Sequence, residues 1–293
     1  MTAPVRVGVV GAGPWAHIVH APVLAAGPHT ALAGVWARRP DAAAELAARH
    51  GVPAFAELDA LLDACEAVAF CVPPDVQVTL AARAARAGKA LLLEKPVGLD
   101  LAGAEQLAAV VAEAGVATQL VLSWRYAASV RAFLRQVAGS DALGGRGQFL
   151  TGGLLGGPFA TPWRLAHGPL LDLGPHVVDL LDAALGEVVG ITAHGDPDRW
   201  VGLLLDHAGG AASEVSLTMR SGVEPMRSGF EVHTPTGVHT VDCATAVDGA
   251  AFATMAAEFA ATVRSGVSHP LDIGRGLHLQ RLLETAGRQL RRG

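Results

Sequence analysis

The chain has 293 residues, 51% of them hydrophobic and 17% charged, with a formal net charge of -5. That supports one large domain or two smaller ones with a sizeable core. The acidic balance, with no basic cluster beyond the tail Arg288, Arg291 and Arg292, argues against nucleic acid as a partner. No unbroken apolar run reaches the ~18 residues of a membrane span. Cys65, Cys71 and Cys243 lack metal-ligand spacing, and no metal site is expected. Cys65 and Cys71 sit in apolar surroundings and read as buried free thiols of a reducing compartment. Met1 leads almost directly into a strand, with no basic leader or cleavage site, so a cytoplasmic location is expected.

In chain order, Val5 to Val10 is a short β-branched strand. It runs into Gly11-Ala12-Gly13-Pro14-Trp15-Ala16 and a helix to about Ala26. This is G-x-G-x-x-A between a strand and a helix, the setting in which it binds a dinucleotide. Gly11 permits the tight turn and Gly13 lets the backbone approach a pyrophosphate at a helix N-terminus. Ala16 takes the place of the third glycine, and Pro14 suits a first helical turn because its missing N–H is not needed there. The second strand, Ala31 to Ala37, ends in Arg38 and Arg39. A carboxylate at that point would bind a ribose 2′-hydroxyl; guanidiniums suit a 2′-phosphate, so NADP is expected over NAD. The alternative is that Arg38 and Arg39 start the next helix from solvent.

A helix over Asp41–His50, a short one over Asp59–Ala64 and a third strand over Ala67–Val72 follow. That strand ends at Pro73 and Pro74, which are expected to line the cofactor site. A helix from Asp75 to Ala87 leads to the fourth strand, Ala90 to Leu93, and then to Glu94-Lys95-Pro96. Lys95 is one of only two lysines, with Lys89, among 22 basic residues. A desolvated lysine can lose its proton where arginine cannot, which makes Lys95 an acid/base candidate. The plainer reading is a lysine paired with Glu94. Its position at the carboxyl end of a parallel strand, where ligands of such sheets bind, favours the functional reading. A helix over Asp100–Ala114 and a fifth strand over Ala117–Leu122 complete a doubly wound parallel sheet, expected as a dinucleotide-binding domain over residues 1–122.

After residue 122 the pattern changes, and residues 123–293 are expected to form a second α/β domain for substrate binding and oligomerisation. A helix is expected over Ser129–Val137, a strand over Phe149–Leu155 within the glycine-rich stretch Gly144–Gly157, and irregular chain over Thr161–Gly168, which carries Trp163 and Arg164. A helix from Pro169 to about Leu185 aligns Asp172, His176 and Asp179 at i, i+4 and i+7, an acid–histidine–acid row among apolar residues. The alternative is a solvated polar stripe. Strands over Val188–Ala193, Trp200–Asp206, Ala211–Thr218, Gly229–Thr234 and Val238–Cys243 suggest an antiparallel sheet, closed by helices over Gly249–Arg264 and Ile273–Arg291. His194, His207, His233 and His239 lack ligand spacing and read as ordinary surface or satisfied core histidines.

Together the motifs resemble the Gfo/Idh/MocA oxidoreductases, the glucose–fructose oxidoreductase and inositol dehydrogenase group. The resemblance rests on Gly11–Ala16, on Glu94-Lys95-Pro96, on Asp172-x-Gly174-x-His176-x-x-Asp179, and on Trp124-Arg125-Tyr126 after the fifth strand. It implies an N-terminal Rossmann domain and a C-terminal α/β domain whose open, mostly antiparallel sheet often forms a dimer interface, hence a homodimer or homotetramer. It implies Lys95, Asp172 and His176 as catalytic trio, a cis Lys95–Pro96 bond, and Glu94 with the glycine turn at the cofactor. Trp124, Arg125 and Trp163, with Asp172 and His176, become candidate substrate contacts. The expected reaction is hydride transfer between a nicotinamide and a carbinol or ketone carbon of a sugar, inositol or keto-sugar. His176 would handle the proton, Lys95 would steady the oxygen, and Asp179 would support them from outside direct contact. Two departures stand out: Gln77 replaces a histidine common after Pro-Pro-Asp, and Ala128 replaces a proline. The chain is also short for the family, which implies trimmed substrate loops. The competing readings are a non-catalytic NADP-binding sensor or subunit of the same fold, and a reductase of a non-sugar substrate.

Overall fold

The computed structural model describes residues 3–291, so Met1 and Arg292 lie outside the described residues. The chain forms two compact units. Among the described residues no helix is long and apolar enough to cross a membrane.

The first unit holds the residues up to Val121 together with Phe252–His278. Its sheet has strands β1 (Val5–Val10), β2 (Thr30–Trp36), β3 (Ala67–Phe70), β4 (Ala90–Glu94) and β5 (Thr118–Val121). They run parallel in the order β2-β1-β3-β4-β5. β3 and β5 are buried throughout, the mark of parallel strands covered on both faces. The order reverses between β1 and β3, the point where ligands of such sheets bind. Helices α1 (Ala21–Ala25), α2 (Pro40–His50), α3 (Leu58–Ala64), α4 (Pro74–Arg86) and α5 (Leu101–Ala114) connect the strands. Asp100 caps α5 by accepting from the Gly103 N–H at 2.8 Å. The helix expected from the glycine turn to Ala26 opens instead as a π-helical turn over Ala16–His20, in which the Ala21 N–H reaches back to the Ala16 carbonyl. The shifted ladder sits just before Pro22, which has no N–H to continue a regular one.

The expected division gave all of residues 123–293 to one domain. Residues 252–278 pack with the first unit instead. The reason is β5, the edge of the parallel sheet. Its Leu120 N–H donates to the Leu271 carbonyl at 2.6 Å, and the Thr118 hydroxyl accepts from the Ile273 N–H at 3.1 Å. Gln119 reaches the Met255 carbonyl within helix α8 (Gly249–Ser265) at 3.1 Å. The returning chain thus covers an edge that would otherwise leave backbone groups open.

The second unit begins with a 3-10 turn at Ser123–Tyr126 and helix α6 (Ala128–Val137). Its mixed sheet has β6 (Gly144–Leu150), β7 (Val188–Asp196), β8 (Trp200–His207), β9 (Ala212–Thr218), β10 (Arg227–Thr234) and β11 (Gly237–Asp242), in the order β11-β10-β6-β9-β8-β7. Only the β6–β9 pairing is parallel. β8 alternates buried Val201, Leu203 and Leu205 with exposed Trp200, Leu204 and Asp206, so one face is apolar and the other open. Helix α9 (Ile273–Leu290) lends its later turns to this unit, where Leu283 lies against Gly174.

Two expectations fail here. The first strand is Gly144–Leu150, not Phe149–Leu155. Its glycines suggest a loop, but a Cβ on Gly144 or Gly145 would meet the Ala212 or Glu231 carbonyl at 2.6 or 2.7 Å, and one on Gly147 would strike Phe230 and Val177. These glycines are strand residues under close backbone and side-chain approach. Likewise Thr161–Gly168 is not irregular. Helix α7 spans Pro162–Leu185 with a break at Gly168, whose φ is 64°.

Candidate active site

Gly11 sits at the switch between β1 and β3. Its φ is 111°, and a Cβ there would lie 2.4 Å from the Cys71 carbonyl oxygen, so only glycine fits. Gly13 differs: the nearest atom to its added Cβ is the same oxygen at 4.0 Å. The protein's own packing does not demand glycine at 13. Pro73 caps α4 and Pro74 occupies its first turn, next to β3. Ala16 is fully buried.

Trp15 extends from this turn, and its indole N–H donates to Glu94 Oε1 at 2.8 Å. The same oxygen lies 2.7 Å from Nε2 of the fully buried His20. Glu94, expected as a cofactor contact, is therefore engaged by two side chains of the glycine-turn segment. Gln77 completes the cluster. It is fully buried; its Oε1 accepts from the Glu94 N–H and its Nε2 donates to the Glu94 carbonyl, both at 2.8 Å. Burial, with the Glu94 charge second, pushes the Cys71 thiol well up, so it stays neutral. The Lys95–Pro96 bond is cis. Arg38 and Arg39 are exposed at the end of β2, and Arg39 caps α2 through its backbone alone.

In the second unit, Asp172, His176 and Asp179 lie on α7 beyond the Gly168 break. Asp172 is 5% exposed and Asp179 1% exposed, so the row is no solvated stripe. Arg125 Nη1 donates to both Asp179 oxygens at 3.1 and 3.0 Å. The Arg125 carbonyl in turn accepts from Arg131 Nε at 2.7 Å. Arg164 Nε donates to Asp172 Oδ2 at 2.9 Å, while its guanidinium stacks over Trp163 at 4.6 Å. Trp124 is buried, with its ring 5.2 Å from the His176 imidazole and within a cluster that includes Phe149 and Phe230. Trp124 and Trp163, both expected to touch substrate, thus have protein partners: Trp124 supports His176, and Trp163 supports the Arg164 that holds Asp172.

His20 and Arg164 were not singled out by the sequence as site residues, and Gln77 stood out only as a departure from the family pattern. His20 and Gln77 meet Glu94 from 74 and 17 residues away, and Arg164 lies in a stretch expected to be irregular. His207 is the satisfied core histidine expected, pairing with the Gly186 carbonyl and the Ser213 hydroxyl. Among the described residues no group of His, Cys, Asp and Glu is placed to hold a metal.

The parallel sheet of the first unit, with a glycine turn at the switch point of its strand order, has the architecture of a dinucleotide-binding Rossmann domain. Residues 5–121 match the oxidoreductase family GFO_IDH_MocA, described as an NAD-binding Rossmann fold. The chain is 37% identical over 115 residues to the dTDP-3,4-didehydro-2,6-dideoxy-alpha-D-glucose 3-reductase of Actinomadura kijaniata, covering 39% of this chain and 35% of that protein. It is 38% identical over 98 residues to the inositol 2-dehydrogenase of Rhizobium meliloti (strain 1021), covering 33% and 29%. The match thus spans about a third of each curated relative. The fold carries over the whole chain: the crystal structure of GenD2 from gentamicin A biosynthesis, in complex with NAD, superposes with a TM-score of 0.88 at 24% identity, covering 99% of this chain and 95% of that one.

Proposed function

We propose that the protein is a nicotinamide-dependent oxidoreductase acting on a CH–OH or ketone carbon of a sugar, inositol or keto-sugar derivative. The observation that carries this is the glycine turn at the sheet's switch point. Gly11 is required by the fold, and Gly13 is spared by it. When bound there, a nicotinamide dinucleotide supplies the hydride chemistry. Gly11 to Ala16, Pro73 and Pro74 would hold it, with Glu94 acting through Trp15. Arg38 and Arg39, exposed at the end of β2, suit a 2′-phosphate and favour NADP.

Lys95 then donates to the substrate oxygen and stabilises the negative charge that develops on it. His176 takes the hydroxyl proton in one direction and returns it in the other. Asp172, held by Arg164, accepts from neighbouring substrate hydroxyls. Residues 1–122 serve the cofactor, and the later chain serves substrate and assembly, through the open face of the mixed sheet as a homodimer or homotetramer. The relatives act on sugars and inositols by name, and that supports the substrate class.

A turnover screen with NADPH and NADH against sugars, inositols and keto-sugars tests this. Lys95→Ala and His176→Ala are each expected to lower kcat by about 10²-fold or more while the protein stays folded. Dinucleotide binding without turnover on any member of the panel would favour a sensor or subunit. A kcat/KM preference for NADH above about tenfold would overturn the NADP assignment.

A further inference from the structure

We infer that Gln77 is the positioning residue that aims Lys95. β4 pairs with β3 only as far as Ala69↔Leu92, because β3 ends at Phe70. The Leu91 N–H donates to the Ala117 carbonyl, on the β5 side. Alternate residues of a parallel strand face opposite neighbours, so Ala90, Leu92 and Glu94 face β3. Glu94 therefore turns its N–H and C=O toward a strand that has already stopped. The Gln77 amide takes the place of the missing residue, accepting from that N–H and donating to that carbonyl at 2.8 Å each. Its Nε2 also lies 3.4 Å from the Pro96 and Val97 carbonyls, beyond the lysine. One buried side chain thus fixes the backbone on both sides of Lys95. The amide carries the donor and the acceptor together; a carboxylate or an apolar chain of the same length loses one or both.

This inference rests on the reading of Lys95 as a catalytic cation, and the test separates the two. The chain has two lysines, so acetic anhydride labelling followed by mass spectrometry reports each of them, with Lys89 as internal control. Lys89 is held elsewhere, donating to the Cys65 carbonyl at 3.0 Å. In Gln77→Met, and in the milder Gln77→Asn, the Lys95 labelling rate relative to Lys89 is expected to change by about fivefold or more, the scale of one lost hydrogen bond. Far-UV circular dichroism should remain native in at least the Asn variant. On a substrate that the screen identifies, kcat should fall in Gln77→Met but hardly further when Lys95→Met is already present, because the two act as a unit. An unchanged Lys95/Lys89 ratio, or fully additive losses in kcat, would overturn the positioning role. Wild-type turnover in Lys95→Met would sink the catalytic reading of Lys95 and the catalytic half of this inference, while the labelling ratio still decides whether Gln77 holds the turn.

Discussion

The indole N–H of Trp15 donates to the carboxylate of Glu94 at 2.8 Å, linking the glycine turn to the end of β4 across 79 residues of sequence. The bond is part-buried and charge-assisted, and hydrogen bonds of that kind contribute about 1.5–3 kcal/mol. Trp15→Phe keeps the ring's packing against Phe252 and removes only the donor. It should lower unfolding free energy by about 1–2 kcal/mol in urea titration and weaken NADPH binding. Unchanged stability and affinity together would show that the tie is dispensable.

The two glycines of the turn predict opposite outcomes. Gly11→Ala drives a Cβ to 2.4 Å from the Cys71 carbonyl at a φ of 111°. It should cost about 3 kcal/mol or more, or abolish folding, because the obstacle is backbone. Gly13→Ala meets nothing closer than 4.0 Å and should fold with near-native stability. It should nonetheless bind NADPH at least about tenfold more weakly, a loss near 1.4 kcal/mol. Thermal melts and fluorescence titration of the pair check this, and normal affinity in Gly13→Ala would remove the basis for the cofactor site.

Trp124 packs against His176, and its loss should reach the proposed proton transfer without touching substrate. Trp124→Ala leaves a cavity among Phe149, Phe230 and the imidazole. Large-to-small aromatic changes cost about 3–5 kcal/mol. Trp124→Phe keeps an aromatic wall and should be milder. The informative readout is the pH profile of kcat, which should shift in both variants if Trp124 sets the environment of His176, and stay fixed if it only fills space.

The cysteines predict an alkaline weakness. Burial, with the Asp242 charge second, pushes the Cys243 thiol from 9.0 up to about 12. Burial likewise raises Cys65 and Cys71. A raised folded-state pKa means that the unfolded chain gives up its thiol proton first as pH rises. Between pH 9.0 and about 12 the unfolded state binds fewer protons, so stability falls with pH; below that window this contribution is fully present. The urea midpoint should decline above pH 9.0, and Cys243→Ala should flatten the decline. An identical slope in the variant would exclude Cys243 as its source.

Much of the frame was legible from local pattern. The buried β-strands of the first sheet, the glycine turn and the Asp172–His176–Asp179 row all lie in short stretches whose periodicity states their place. What escaped depends on distant partners. Glu94 reads as a ligand contact until Trp15 and His20 arrive from 79 and 74 residues away. The glycines of β6 read as a loop until Ala212, Glu231 and Phe230 are seen to crowd them. Residues 252–278 carry parts of two ordinary helices and the connection between them, a pattern that cannot say that they will cover the edge of β5 rather than the sheet next to them in sequence.

That glycine-rich β6 also bears on how the second sheet assembles. β7, β8 and β9 pair as neighbours in sequence, and so do β10 and β11, so each group can form by short-range closure. β6 alone bridges them, parallel to β9 and antiparallel to β10, although it is made before either. Three of its seven residues are glycine, and the entropy of closing a long loop is spent before its pairings form. The middle of this sheet should therefore be the last part to set, and folding from the nascent chain should wait until β10 has been synthesised.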